Sequence, residues 1–292
     1  MGGGNNPFDD ENFACAKCKE YVKANWNFSM QIRFVAFGMY PSPCQCRCFY
    51  CNANTTNTTD FLKKPDVAAE YEKLFDTLSL AKKRQIIAPK EAIWQVVPGE
   101  ISIHPYKKQI MDLVRGEHSM FSSNMFICDE DIARELHDNP RAEINLSIDA
   151  GTPETWHKVK GVNNFSRVLD NLKAYRQVAQ NSNQIQLRYI ICPGINDSDE
   201  DFLSLMGIMK SLNLTRLVFS RDTNIFSSPD SPEVREMLFA NSVIDPKLIE
   251  SAARFLAVCY LYGIKPEQTD YFTQQEQIQT IALAQKILQN VG

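Results

Sequence analysis

The sequence predicts an α/β protein whose parallel sheet is built from six strand–helix units. Three observations carry that prediction. Short runs rich in β-formers alternate with stretches whose apolar residues recur at helical spacing, and this happens six times between residues 29 and 222. Each unit is short enough for a right-handed crossover back to the sheet. The chain has 292 residues, 44% apolar and 23% charged, enough for one sizeable core of the kind α/β barrels build as a single domain.

Charge and composition narrow the function. A net charge of −4 carries no basic footprint of the sort nucleic-acid binding needs. No run approaches the roughly 18–20 apolar residues of a membrane span. The first residues, Met1-Gly-Gly-Gly-Asn-Asn-Pro, lack the basic and apolar regions of a signal peptide. Nine cysteines without such a signal point to metal or redox chemistry in a reducing, cytoplasmic compartment.

Residues 1–28 read as an irregular lead-in holding Cys15 and Cys18. That C-x2-C pair is either half of a second metal site, an auxiliary iron–sulfur cluster or zinc, or two free thiols. Ser29–Phe37 is the first strand. Directly after it comes Cys44-Gln45-Cys46-Arg47-Cys48-Phe49-Tyr50-Cys51, with Pro41 and Pro43 stiffening the approach. Cys44, Cys48 and Cys51 form C-x3-C-x2-C. Three thiolates at that spacing can hold three irons of a [4Fe–4S] cluster. The fourth iron then has no protein ligand, the open position that marks a catalytic rather than a structural metal site. An amine and a carboxylate on one small molecule could chelate it.

With Tyr50 as its aromatic residue, this loop resembles the C-x3-C-x-Φ-C signature of the radical S-adenosylmethionine (SAM) superfamily. The resemblance implies a partial (β/α)6 barrel over about residues 29–224, followed by a C-terminal helical extension, 225–292. It implies a [4Fe–4S] cluster on Cys44, Cys48 and Cys51 that reduces bound SAM. The 5′-deoxyadenosyl radical so released takes hydrogen from a substrate that the sequence does not identify. An electron donor such as flavodoxin or ferredoxin is the implied partner, and neither a membrane nor a nucleic acid is expected.

Two further stretches extend the resemblance. A helix opening at Pro65 buries Val67, Tyr71, Leu74, Phe75 and Leu78, and Ala92–Val97 is the second strand. It runs into Pro98-Gly99-Glu100-Ile101-Ser102-Ile103-His104-Pro105, similar to the family's G-G-E-P-x-x-H-P stretch, where backbone near the glycines meets the SAM amino group. Gly99 and Glu100 keep that pattern; Pro98 and Ile101 depart from it. A helix with Ile110, Leu113 and Val114 ends at Gly116. Met120–Ile127 is the third strand, and Ser122-Ser123-Asn124 resembles the family's Thr-Asn-Gly turn, placing Ser123 near SAM. Asp129–His137 is a short helix and Glu143–Asp149 the fourth strand.

The other stretch runs from Ser147 through Asp149, Thr152, Pro153 and Glu154 to Lys160-Gly161, and looks like the family's S-x-D…E…G segment. Ser147 would face the SAM ribose or carboxylate; strand-end hydrogen bonding is the alternative for Ser147 and Asp149. Thr152 is a cap and Pro153 a first helical residue. Phe165–Val178 is an apolar-striped core helix, and Gln184–Cys192 the fifth strand. Arg188 is a charge in that apolar strand and is expected to meet a carboxylate, either that of SAM or an internal Asp or Glu. Pro193-Gly194-Ile195-Asn196-Asp197 is similar to the family's P-G-x-N-D turn. Ser198 caps the next helix with Asp201 in capping-box position, and Phe202, Leu205, Met206 and Met209 are its buried face.

Leu217–Ser220 is the sixth strand, leaving Arg221 and Asp222 to touch ligand or to form a surface ion pair. After Asn224 the alternation stops. Helices are expected from Ser231-Pro232, from Asp245-Pro246 to Pro266 with Ile249, Ala252, Ala253, Leu256 and Tyr260, and from about Thr273. His104 is expected to satisfy backbone groups; His118, His137 and His157 are read as exposed. Two other readings stand beside the enzyme. One is a zinc module pairing Cys15 and Cys18 with Cys48 and Cys51; the other is a sensor on the same barrel without turnover.

Overall fold

The computed structural model describes residues 31–38, 43–51, 58–97, 99–222, 245–268 and 272–291. The chain divides into two compact units, Met1–Gln31 and Ile32–Gly292. The elements below all belong to the second. Cys15, Cys18, Pro98 and the helix expected at Ser231-Pro232 lie outside the described residues.

Seven parallel strands pair in sequence order: β1 Phe34–Phe37, β2 Ile93–Val96, β3 His118–Ser123, β4 Glu143–Ser147, β5 Ile185–Ile191, β6 Arg216–Arg221 and β7 Glu267–Gln268. The sheet is open, with β1 and β7 at its edges. Nine helices accompany it among the described residues: α1 Thr58–Leu62, α2 Pro65–Lys83, α3 Lys107–Val114, α4 Glu130–Asp138, α5 Pro153–Lys160, α6 Phe165–Val178, α7 Asp199–Ser211, α8 Pro246–Leu261 and α9 Gln274–Val291. None is long and apolar enough to cross a membrane.

The helix starts follow local chemistry. Thr152 Oγ1 accepts from Thr155 N at 3.3 Å with Pro153 first in α5. Ser198 Oγ accepts from Asp201 N at 3.2 Å at the head of α7. Asp245 does the same for Lys247 N and Leu248 N at 3.0 and 3.2 Å in α8. Each satisfies amide donors that the first turn leaves without a helical partner.

One face of the sheet lies under the helices. Trp94, Val96, Phe121, Ile144, Leu146, Leu187, Tyr189, Leu217 and Phe219 point that way and are buried. Tyr189 stacks on Phe255 of α8 at 4.9 Å and Phe219 meets the same ring at 5.5 Å. On the opposite face Ser122, Ser147, Arg188, Val218 and Ser220 are half-buried, while Asn145 and Gln186 are buried. This period-2 split gives the sheet an apolar helix side and a polar open side.

Several expectations need correction. β3 starts two residues before Met120 and stops at Ser123. The chain turns there because Asn124 Oδ1 accepts from Phe126 N at 2.9 Å and Met125 adopts φ 54°. The alternation does not stop after Asn224: β7 pairs with β6, but two residues are too few for a sequence pattern. α8 ends at Leu261, before Pro266, because Gly263 takes φ +74° and Ile264 N returns to Cys259 O at 2.9 Å. Tyr260 and Leu74 are exposed rather than core. Asp201 makes no capping box; its carboxylate instead accepts from Thr152 N at 3.0 Å and from the Tyr189 hydroxyl.

Candidate functional site

The cysteine loop is held from both sides. Arg47 N donates to Lys160 O at 2.8 Å and Phe49 N to Val159 O at 3.2 Å, so the loop docks on the last turn of α5. Glu100 N donates to Pro43 O at 2.8 Å from the other side. Gly161 makes the docking possible. It adopts φ +66°, and a Cβ there would lie 2.7 Å from Arg47 O. Only a glycine meets both demands without strain.

Within the loop, Cys44 and Cys48 are half-buried, Cys46 is buried and Cys51 is exposed. Cys51 N donates to Cys48 O at 3.0 Å, closing a turn. The Cys46 thiol hydrogen-bonds to both Cys44 and Cys48. That contact holds the Cys44 thiol down at about 7 and the Cys48 thiol at about 6, against an ordinary 9.0, the Lys160 charge also favouring the Cys48 thiolate. The same two contacts push Cys46 far up. Thiols that ionise near neutral pH are suited to ligate iron, and Cys46 is not one of them. Among the described residues, no three His, Cys, Asp or Glu side chains are already gathered as a metal site. The structure brings Cys44 and Cys48 together around Cys46, with Cys51 at the turn that follows. The donor set fits an iron–sulfur cluster, whose usual ligands are cysteine thiolates.

Glu100 organises the floor beneath Cys44. It is fully buried and accepts from Ser102 Oγ at 2.8 Å, Ser102 N at 3.2 Å, Ser123 Oγ at 3.0 Å and Asn124 N at 2.6 Å. Burial raises its carboxyl pKa, and these hydrogen bonds oppose the rise. Asn124 Nδ2 then reaches Gln45 Oε1 at 3.0 Å and Cys44 Sγ at 3.4 Å. Glu100 and Ser123, both expected at SAM, thus bond to each other and join the ends of β2 and β3 to the loop. Gly99, at φ +77°, is exposed beside them.

A second buried network supports Cys48. The Asp149 carboxylate accepts from Lys160 Nζ and from the Tyr50 hydroxyl, and Lys160 Nζ also donates to Tyr50 at 2.7 Å. Asp149 and Lys160 are 0% and 2% exposed, so the charges must be paired. Asp149 Oδ1 accepts from Ile190 N at 2.6 Å, and Asn196 of the Pro193–Asp197 turn binds Asp149 O at 3.0 Å. The ends of β4 and β5, α5 and the cysteine loop therefore form one bonded unit. The alternative given for Asp149, strand-end hydrogen bonding, is what the structure contains.

Ser147, the last residue of β4, is the register partner of Arg188 in the middle of β5, and both are half-buried on the open face. His104 Nδ1 accepts from Tyr106 N at 3.2 Å, as expected of a ring serving backbone. His137 and His157 are exposed. His118 is instead half-buried at the foot of β3, 3.5 Å from Glu143. Arg221 is not a surface pair: it is 2% exposed and donates to both Glu276 carboxylate oxygens at 2.9 Å.

The sequence reasoning missed the Asp149–Lys160 pair and the hub role of Glu100. A lysine at a helix end reads as solvated, and its contacts with Asp149 and with Tyr50, 110 residues away in sequence, show otherwise.

A cluster-type cysteine loop at the carboxyl end of the first strand of an open parallel sheet matches a known pattern. The Radical SAM superfamily model matches residues 43–206, more than half of the chain. The chain belongs to the radical SAM superfamily. That match spans Cys44, Cys48 and Cys51 together with β2 to β5, strands a zinc module leaves unexplained. Radical SAM proteins carry a [4Fe–4S] cluster and SAM, and Cys44, Cys48 and Cys51 are the residues that would hold the cluster here.

Curated relatives include a GTP 3′,8-cyclase of Acaryochloris marina (strain MBIC 11017), 28% identical over 189 residues, which is 60% of this chain and 53% of that one. The GTP 3′,8-cyclase of Microcystis aeruginosa (strain NIES-843 / IAM M-2473) is 22% identical over 191 residues, again 60% and 53%. The chain spans about half the length of these relatives. Among solved structures, Streptococcus suis SuiB bound to precursor peptide SuiA aligns with TM-score 0.54 at 13% identity, over 80% of this chain and 48% of that one. A radical SAM methyltransferase from Sphaerobacter thermophilus aligns with TM-score 0.50 at 12% identity, over 81% and 65%. These structures show the radical SAM fold and nothing finer.

Proposed function

We propose that this radical SAM protein cleaves SAM reductively and uses the resulting carbon radical to take hydrogen from a small polar substrate. The observation that carries the reading is the docked loop: three cysteines at cluster spacing, held at the carboxyl end of β1 between α5 and Glu100. When bound, the cluster and SAM supply one-electron cleavage of the C5′–S bond, giving methionine and a 5′-deoxyadenosyl radical. The protein's part is positioning and exclusion of water. Cys44, Cys48 and Cys51 hold the cluster, and Tyr50, through Lys160 and Asp149, fixes the loop that presents it. Ser147 and Arg188 face the SAM ribose and carboxylate from the open side of β4 and β5. Gly99 offers backbone to the SAM amino group, and Glu100 and Ser123 approach SAM while bracing that turn. A one-electron protein donor such as flavodoxin or ferredoxin supplies the reductant.

GTP is the first substrate to test, because the curated relatives are named for acting on it. Anaerobically reconstituted wild-type protein is expected to convert SAM to 5′-deoxyadenosine under reduction. Cys44→Ala is expected to show neither the absorbance of a [4Fe–4S] cluster nor that product. Wild-type turnover in Cys44→Ala would refute the assignment.

A further inference from the structure

The open face of the sheet carries a polar row that the cysteine loop does not use. Ser122 of β3, Asn145 of β4 and Gln186 of β5 are register partners side by side. The next open-face row toward the cysteine loop contains Ser147 and Arg188. Arg216 of β6 is the register partner of Gln186 at the far end of the row, and it is paired with Glu143, two residues before Asn145 on β4. Asn145 is 1% exposed and Gln186 4%, whereas Ser122, Ser147 and Arg188 are half-buried, so Asn145 lies at the deepest point of an otherwise accessible face.

Asn145 is there without partners. Both its Oδ1 and its Nδ2 are buried and make no hydrogen bond, and the Ser122 Oγ beside it is likewise unpartnered. It is the one carboxamide among the described residues orphaned at both ends. Buried polar atoms are almost always satisfied, and a carboxamide left open at both donor and acceptor is costly to keep. The helix face of the same strand, Ile144 and Leu146, shows that β4 packs well with apolar residues where no ligand is needed.

We infer that Asn145, flanked by Ser122 and Gln186, is a recognition site for a planar amide edge of the substrate. Such an edge presents an acceptor beside a donor, as a nucleobase lactam or a carboxamide does. Asn145 answers it with Nδ2 to the acceptor and Oδ1 to the donor, and Ser122 and Gln186 supply flanking contacts. Arg216 continues the row beyond Gln186 with its charge already paired to Glu143, so the Asn145 end selects a neutral head, and a site built to hydrogen-bond such a group rejects analogues that lack it. The inference rests on the proposed function, whose substrate class it names.

The test is thermal unfolding of the reconstituted full chain, wild type and Asn145→Leu, alone and with millimolar GTP or nicotinamide. Leucine keeps the branched heavy-atom skeleton of asparagine and removes both orphaned atoms. Without ligand, Asn145→Leu is expected to unfold about 2 °C higher or more. A clearly lower Tm would mean that the amide is already partnered, and would overturn the inference. A GTP-induced rise in wild type that falls by half or more in Asn145→Leu assigns the edge to a nucleobase; the same result with nicotinamide assigns it to a carboxamide. No rise with either probe, or a rise that Asn145→Leu keeps, overturns the site. If Asn145→Leu does not fold, Ser122→Ala carries the ligand arm, with a reduced rise expected and an unchanged one overturning it. Thermal shift reads binding and 5′-deoxyadenosine reads cleavage, so failure of one is told apart from failure of the other.

Discussion

At the scale of single residues, the loop depends on a glycine and a buried ion pair. Gly161 combines φ +66° with a carbonyl 2.7 Å from where a Cβ would stand. Gly161→Ala is therefore expected to undock the loop and to lower iron bound per chain after reconstitution, with a fold that survives by circular dichroism. Full iron loading in that variant would show that the docking is dispensable. Lys160→Met leaves Asp149 buried and short of its cation. Removing one partner of a buried pair costs about 3–5 kcal/mol, and denaturant unfolding should show that loss; a change near zero would mean that Tyr50 and Ile190 N suffice for Asp149. His104 gives a pH signature. Burial holds its pKa at about 4 against an ordinary 6.5. Between those values the unfolded chain takes up a proton that the folded chain refuses, so stability falls as pH drops from 6.5 toward 4. The slope from this one ring is at most about 1.4 kcal/mol per pH unit. Comparing the pH dependence of unfolding for wild type and His104→Gln isolates it, and the variant should be flatter over that window.

At the scale of elements, most of the fold was legible because each unit has its own local instructions. Thr152-Pro153 starts α5, Ser198 starts α7 and Asp245-Pro246 starts α8, each through a side-chain cap that sequence alone displays. The apolar stripe of α6 was equally readable, ending in the buried Tyr175, whose hydroxyl accepts from Asp129 N at 2.7 Å. What failed were boundaries set by backbone conformation. Met125 at φ 54° ends β3 early, and Gly263 ends α8 before Pro266. β7 has no signal of its own; it exists because β6 offers an edge. The link from β6 to α9 was also hidden, since Arg221 finds Glu276 only in three dimensions. Arg221→Met is expected to loosen α9 from the sheet, read as faster amide hydrogen exchange across Gln274–Val291 than across α6. Unchanged protection would assign the anchoring of α9 to its apolar contacts alone.

At the scale of the molecule, the sheet separates stability from chemistry by its two faces. The helix side is apolar and packed through rings such as Phe255, whose truncation to alanine should cost about 3–5 kcal/mol. The open side carries Ser147, Arg188, Asn145 and Ser122, and the loops at the strand carboxyl ends carry the cysteines. The cysteine spacing was readable because Cys44, Cys48 and Cys51 lie within eight residues on one loop. The braces around it, Glu100 with Ser123 and Asp149 with Lys160, were not readable as braces, because their partners come from separate units. In the proposed function, Cys44, Cys48 and Cys51 leave one iron open for SAM. Electron paramagnetic resonance of the reduced, reconstituted protein tests it most directly. Adding SAM should shift the cluster signal in the wild type, as direct ligation to that iron requires. A cluster signal indifferent to SAM, or a protein that holds zinc and no iron, would contradict the account.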